Sequence, residues 1–290
     1  MRGSPSVRSS DSTDVAASEA ARSAADASVL IEFVHDLDGA ARVGAVCEAT
    51  WGGQGILPLD LTRALAHPSG TVLLARGLAN GARLDVGVAA GFLSWADEVH
   101  FHSHLVGVVP THRGAGVGVA LKLAQRASCL MHGVRLMRWT FDPLLMPNAR
   151  LNISRLGGVA TRFLPDFYGE MKDSINRGDD SDRVELSWRL DRPLPPKPSG
   201  PALVRKAGAL LEVDATGWPR RTDKSLEPGA LIAIPRDYGE IRRRRDPRAT
   251  AWRCELRAVL TSVFAAGLVL EGFDGGNYRL GRHSGSSRYP

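Results

Sequence analysis

The sequence predicts an α/β protein of the α+β kind, with a mixed central sheet flanked by helices and a small C-terminal α+β accessory region. A strand that turns through closely spaced glycines into a helix, over residues 105–131, is the first indication. Strand-like segments before that turn and a proline-rich stretch after it are the second and third. The predicted divisions are a disordered tail (1–28), a main domain (29–190), a linker (191–201) and the accessory region (202–290).

The elements before the glycines follow from hydrophobic pattern and turn residues. Residues 1–28 are rich in Ser, Ala, Asp and Arg and contain no aromatic side chain, which predicts a disordered or loosely helical tail. The next predicted elements are a strand over 29–34, a helix from Asp38 to about Trp51, strands over 71–78 and 86–93 joined at Asn80-Gly81, and a long strand over 99–109.

The segment 105–131 carries the main functional signal, reading LVGVVPTHRGAGVGVALKLAQRASCLM. Pro110 ends the strand because proline cannot donate to a ladder, and the helix that follows ends at Gly133. A glycine turn at a helix start exposes backbone N–H groups at the positive end of the helix dipole. The pattern therefore predicts an anion site suited to pyrophosphate. The alternative is a tight strand–helix turn that binds nothing.

Two common phosphate motifs do not fit this turn. A P-loop ends in Gly-Lys-Ser/Thr, but Val119 and Ala120 follow Gly118. The G-x-G-x-x-G fingerprint fails because its third glycine would fall on Val119 or Leu121. The turn instead resembles motif A of the GNAT superfamily of N-acyltransferases, Val-x-Pro-x-x-Arg-Gly-x-Gly-x-Gly. The matching positions are Val108, Pro110, Arg113, Gly114, Gly116 and Gly118.

The resemblance covers about residues 30–190 and points to a longer bacterial branch, which includes succinyl-CoA-dependent amino-acid N-acyltransferases. It implies the GNAT fold and acetyl-CoA or another acyl-CoA as co-substrate. The implied donor-binding residues are Val106, Val108, Val109, Arg113, Gly114, Ala115, Gly116, Val117 and Gly118. Asn148 and Asn152 are the candidates for bonding the pantetheine arm. Asn148, after Pro147, equally suits a helix N-cap.

His100, His102 and His104 alternate along the strand, which predicts that they share one face. Amide formation from a thioester requires a neutral amine, and histidine titrates near pH 7. Some GNAT enzymes, notably aralkylamine N-acetyltransferases, carry a His-x-His pair on this strand. Aligned on Arg113, that pair falls on His102 and His104, which we expect to remove the proton of the amine, with His100 peripheral. Structural histidines and a metal-binding pair are the alternatives, but no fourth ligand is obvious and no metal is expected.

The resemblance also implies groups that act on the thioester. A backbone N–H of the fourth strand, at Val106 or Val108, would donate to its oxygen. Many GNAT enzymes have a tyrosine that protonates the departing thiolate, but here that position holds Ile153 or Ser154. Tyr168 is the candidate substitute, with a core position as its alternative.

The accessory region follows the sequence RPLPPKPSGP, which predicts a semi-rigid linker. Its predicted elements are strands over 209–213 and 231–234, a helix capped by Asp246 with Pro247 at its first position, and a closing hairpin over 268–280.

The net charge and the cysteine content indicate which binding partners and which cellular compartment to expect. The net charge is +6, and much of the excess lies in Arg242–Arg245, which we interpret as a solvated helix face rather than a nucleic-acid site. Cys47, Cys129 and Cys254 are too far apart for a disulfide framework or a zinc site and suit a reducing cytoplasm. The longest mainly apolar run, 258–270, has 13 residues, too few to span a bilayer, and no signal peptide is apparent.

These observations predict a cytoplasmic enzyme, an acyl-CoA-dependent N-acyltransferase that transfers an acetyl, succinyl or similar group to a small amine or amino acid. No membrane or nucleic-acid partner is expected, and self-association into a homodimer is left open. The alternative is a non-catalytic GNAT-like module that binds acyl-CoA and acts through a protein or nucleic-acid partner.

Overall fold

The computed structural model describes residues 8–53, 56–67, 70–79, 82–171, 173, 175–196 and 208–282. The described residues form two compact units. The first comprises those up to Arg138 together with Arg189–Pro193, and the second comprises Trp139–Trp188 and those from Leu194 onward. The expected turn at Asn80-Gly81 lies outside the described residues.

The first unit contains a five-stranded mixed sheet in the order β1-β2-β3-β4-β5. Its elements are α1 (Arg8–Asp26), β1 (Val29–Phe33), α2 (Leu37–Trp51), α3 (Leu59–Ala66), β2 (Val72–Ala79), β3 (Ala82–Trp95), β4 (Val99–Val108), α4 (Val117–Met131) and the start of β5 (Leu136–Phe141). Neighbours from β1 to β4 are antiparallel, whereas β4 and β5 run parallel.

Helices cover both faces of this sheet because side chains alternate along its strands. Leu74 and Val88 face a core that includes Val43 of α2. Leu73 and Ala89, their neighbours in sequence, face the opposite core with α4. The sheet thus holds α4, and with it the glycine turn, in a fixed position.

Of the two alternatives expected for the N-terminal tail, disordered or loosely helical, the structure shows a helix over residues 8–26, α1. The helix packs along α4, where its Ala16 is fully buried. Its Glu19 pairs with Arg126 of α4, whose side chain is buried. Composition did not decide between the two alternatives because the stability of the helix comes from tertiary packing rather than from the segment itself.

The second unit contains strands in the order β7-β6-β11-β12-β10-β8-β9. Its elements are the end of β5, α5 (Met146–Ala149), a π-helical segment (Arg150–Arg155), β6 (Val159–Leu164), β7 (Arg183–Arg189), β8 (Ala209–Val213), β9 (Pro219–Arg221), β10 (Leu231–Ala233), α6 (Tyr238–Arg243), α7 (Arg248–Ala265), β11 (Leu268–Asp274) and β12 (Asn277–Arg282). Strand β11 pairs with β6, so residues from 208 onward share a sheet with residues 159–189. The sequence-based division at 191–201 therefore does not coincide with the boundary of this unit.

A buried ion cluster lies inside the second unit. Arg253 of α7, 3% exposed, donates to Asp142 at 3.1 and 2.9 Å and to Asp179 at 3.1 and 2.6 Å. The Tyr238 hydroxyl donates to Asp179 at 2.7 Å. Such a cluster is costly to break, because removal of one member leaves another charge buried without its partner.

The arginine run is only partly solvated, which corrects the expectation for Arg242. Its side chain is 9% exposed and lies 3.4 Å from Asp179. Arg243 and Arg244 are exposed and pair with Glu240. The sequence did not indicate this difference because the aspartate that attracts Arg242 is distant along the chain.

Candidate functional site

The glycine turn joins β4 to α4 through a short 3₁₀ turn at Pro110–His112. Gly114 and Gly116 have φ values of +83° and +88°, a left-handed conformation that glycine adopts without steric cost. Gly116 is the N-cap of α4 and, as a glycine, offers the start of the helix no capping side chain. The first N–H groups of a helix have no partner within it, so α4 begins with donors that a ligand can use.

The turn is open to an approaching group. A Cβ placed on Gly114 would meet no atom within 4 Å, and one on Gly116 would lie 3.5 Å from the Ala27 Cβ. Arg113 folds back beside the turn and donates to the Val108 carbonyl at 3.2 Å and to the Thr50 carbonyl at 3.3 Å. These bonds tie the turn to β4 and α2. Ala115 and Gly118 flank the same donors, and Val117 is buried against the sheet.

Strand β4 carries a bulge that the alternation argument did not predict. Ala90 pairs with Leu105 and Phe92 with His102, so β4 has one more residue than β3 between these pairs. Gly91 lies at this point of β3, where a Cβ would fall 2.5 Å from the Phe101 ring. A bulge reverses the alternation beyond it.

Beyond the bulge, backbone donors of β4 point away from β3. The Val109 N–H bonds the Val86 carbonyl at 3.0 Å, so by antiparallel alternation the N–H groups of Val106 and Val108 face the other side. On that side β4 pairs with β5 only at Phe101 and His102. Within the first unit, these two N–H groups therefore have no strand partner and can donate to a ligand.

The two candidate histidines lie together. The His102 and His104 ring centroids are 6.4 Å apart, and Phe92 stacks on His102 at 5.0 Å. His104 is exposed and His102 is half-buried. His100 is buried instead, with its Nδ1 3.1 Å from the Glu98 carbonyl oxygen.

The surroundings keep both candidate imidazoles neutral near pH 7. Burial, with a smaller contribution from electrostatic repulsion by neighbouring basic side chains, lowers the pKa of His102 to about 4. Burial also lowers the pKa of His104. A neutral imidazole can accept a proton, and the exposed ring of His104 needs less desolvation to carry the resulting charge.

Sequence reasoning missed a buried polar group beside the bulge. Lys122 of α4 donates to the Ser103 hydroxyl at 2.8 Å, and that hydroxyl donates to Gln125 Oε1 at 2.9 Å. Burial lowers the pKa of Lys122 well below its usual value. Lys122, Gln125 and Arg126 form a polar stripe at helical spacing, which normally indicates a solvent face. Here, neighbouring elements cover the stripe.

Three predicted residues belong to the second unit. Asn148 lies in α5, where its N–H bonds the Leu145 carbonyl at 3.0 Å. Asn152 is buried in the π-helical segment. Tyr168 is 42% exposed, with its hydroxyl 3.0 Å from Thr140 Oγ1, so it is not a core residue.

Across the described residues, no three His, Cys, Asp or Glu side chains are grouped so that they could hold a metal ion. No helix in that part of the chain has the length and apolar character needed to cross a membrane.

Comparison with known proteins yields structural matches only, since no protein-family model and no curated protein matches the sequence. A structure described as the NatC complex bound to Gag peptide and CoA is 11% identical, covering 56% of this chain and 98% of that chain at a TM-score of 0.46. A putative GNAT acetyltransferase from Desulfovibrio desulfuricans is 20% identical, covering 56% and 99% at a TM-score of 0.42. YncA, a putative acetyltransferase from Salmonella typhimurium solved with acetyl-CoA, is 20% identical, covering 58% and 98% at a TM-score of 0.42.

The chain's own topology defines its class. The first unit contains, in chain order, a helix, a three-strand antiparallel meander, a glycine turn that leads into a helix, and a parallel strand. This order, with the turn at Arg113–Gly118 between strand and helix, is the one that the sequence predicts, and it confirms a mixed central sheet flanked by helices.

Proposed function

We propose that this protein is an acyl-CoA-dependent N-acyltransferase that transfers an acetyl, succinyl or similar acyl group to a small amine or amino acid. The observation that carries the proposal is the glycine-capped start of α4, whose backbone donors follow directly on β4. A pyrophosphate suits such a set of donors because the N-cap is a glycine and supplies no side-chain acceptor of its own.

The same strand supplies donors for the acyl group. The N–H groups of Val106 and Val108, directed away from β3, would hold the thioester carbonyl and stabilise negative charge that develops on its oxygen. Asn148 and Asn152 remain the candidates for the pantetheine arm.

The histidines supply the base. His104, neutral near pH 7 and exposed, would accept the ammonium proton of the acceptor directly or through water. His102 would support the ring of His104 and receive the proton less readily, because its surroundings disfavour the charged form. Tyr168 is the candidate for protonating the thiolate.

The test is release of free CoA, measured with a thiol reagent, across acetyl-, butyryl- and succinyl-CoA against a panel of amines and amino acids. Transfer that depends on an acceptor supports the proposal. Tight acyl-CoA binding without turnover for any acceptor would contradict it and favour the non-catalytic binding module.

We further propose a cytoplasmic location. The three cysteines, Cys47, Cys129 and Cys254, are all free thiols, which suits a reducing compartment.

A further inference from the structure

Arg183, at the start of β7, is a buried arginine that forms no ion pair with any residue the structure describes. It is 7% exposed. Its guanidinium donates to the backbone carbonyl of Asp182 at 2.9 Å and to the Met171 sulfur at 3.1 Å. Neither acceptor is charged, and among the described residues no carboxylate lies within 4 Å of the Arg183 nitrogens.

The nearby carboxylates are engaged by other arginines. Asp142 accepts two hydrogen bonds from Arg253, at 3.1 and 2.9 Å. Asp182 accepts from Arg257 at 2.9 and 2.7 Å, through its own side chain. Burial lowers the pKa of Arg183, and the attraction of Asp142 offsets only part of that effect. One positive charge at Arg183 is therefore left without a direct partner.

Packing alone does not explain this arrangement. A thioether is a weak acceptor, and a buried charge needs strong hydrogen-bonding partners to offset its desolvation. The Tyr168 ring lies over the guanidinium, 5.4 Å from the ring centroid to Cζ, but a cation–π contact is weaker than an ion pair with a carboxylate. An anion in place of the Met171 sulfur would satisfy the guanidinium.

The surroundings fit a carboxylate. The guanidinium is planar and presents paired donors that match the two oxygens of a carboxylate. Tyr168, whose ring lies over the guanidinium, is 42% exposed, and its hydroxyl lies 3.0 Å from that of Thr140. A dianionic phosphate fits less well, because Asp142 and Asp182 lie close by and one arginine balances one charge.

We propose that Arg183 binds a carboxylate group of one of the substrates, with Tyr168 forming the wall of that site. The proposal rests on the acyltransferase function and narrows its substrate class. The carboxylate has two chemical sources: the acceptor, if it is an amino acid, or the far end of a dicarboxylic acyl chain on the donor.

The experiment compares matched substrates that differ only in this group. Phenylalanine is compared with phenylalanine amide as acceptor, and succinyl-CoA with butyryl-CoA as donor. Each pair is assayed with wild-type protein and the Arg183→Gln variant. Arg243→Gln is the control, since it also removes one positive charge but lies on the surface beside Glu240.

We expect the wild type to prefer the carboxylate-bearing member of one pair. Arg183→Gln should lower kcat/KM for that member by about 10–100-fold, the usual cost of a lost charged hydrogen bond. The value for its uncharged counterpart should change by less than about 3-fold, and Arg243→Gln should change neither. Loss of the preference between acceptors identifies the amino-acid carboxylate, and loss of the preference between donors identifies the acyl chain.

Equal loss for charged and uncharged members, or no preference in the wild type, would overturn the proposal. Should Arg183→Gln fail to fold, Arg183→Lys serves instead, because it keeps the charge but loses the paired donors and should show the same selective defect. Should no acceptor of the wider panel of amines and amino acids support turnover with either donor, the acyltransferase function itself fails. The site is then tested by calorimetry with N-acetylphenylalanine against its amide, where equal affinities for wild-type protein would overturn it.

Discussion

Replacing His104 with Gln should impair catalysis more than replacing His102 with Gln, because their surroundings leave the two imidazoles unequally basic. The pKa of His102 is lowered to about 4, roughly 2.5 units below that of an exposed histidine. Placing a proton on His102 therefore costs about 3 kcal/mol more than placing it on an exposed imidazole. His104 is exposed on the bulge of β4, so it is the better proton acceptor.

We expect His104→Gln to lower kcat/KM at pH 7 by about 10²–10⁴-fold and His102→Gln by less than about 10-fold. Acyl-CoA affinity should stay unchanged in both variants, since in the proposed function backbone groups, and not these histidines, hold the donor. The assay is a profile of kcat/KM between pH 6 and 9.5. The defect of His104→Gln should shrink as pH rises, because more of the amine then arrives deprotonated.

A defect that stays constant to high pH would refute the assignment of His104 as base. An equal defect in both single variants would refute the argument from unequal basicity. A lower melting temperature with normal turnover in His104→Gln would indicate a structural histidine.

Other predictions follow from the glycine turn, the ion cluster and the buried imidazole. Gly116→Ala should weaken CoA binding at least 10-fold, as measured by calorimetry. Gly133→Ala is the control, because Gly133 has a similar positive φ at the other end of α4, and it should leave CoA binding unchanged. Asp142→Asn should lower the free energy of unfolding by about 3–5 kcal/mol, against less than about 1 kcal/mol for Glu240→Gln at an exposed pair, as measured by urea denaturation. The folded state lowers the pKa of His102 to about 4, so the unfolded chain binds this proton more tightly. The free energy of unfolding should therefore keep its full value above pH 6.5 and fall by up to about 3 kcal/mol as the pH drops to about 4. His102→Gln should lack that part of the loss.

The sequence predicted those elements whose conformation depends mainly on the residues within them. Helix α4 begins directly after the glycine turn and ends shortly before Gly133, as the flanking glycines indicate. The left-handed conformations of Gly114 and Gly116 are equally local, since glycine alone adopts them freely. The fold class followed from this segment.

What the sequence did not predict depends on contacts between distant residues. Helix α1 is stabilised by Arg126, more than a hundred residues further along the chain, and no pattern within the tail indicates that contact. The bulge in β4 interrupts an alternation that looks continuous in the sequence. Lys122 and Arg242 look solvated by composition, yet both are buried by elements from elsewhere in the chain. The histidine pair could be proposed from spacing, but its unequal basicity required the structure.

The chain's path between the two units has a consequence for how such a protein can be divided or recombined. It leaves the first unit after Arg138, returns for Arg189–Pro193 and then re-enters the second unit. A gene cut at the proline-rich stretch would therefore separate residues 159–189 from β11, the strand that pairs with them. The C-terminal third shares its sheet with residues 159–189, so transferring it to another protein would require transferring β6 and β7 with it.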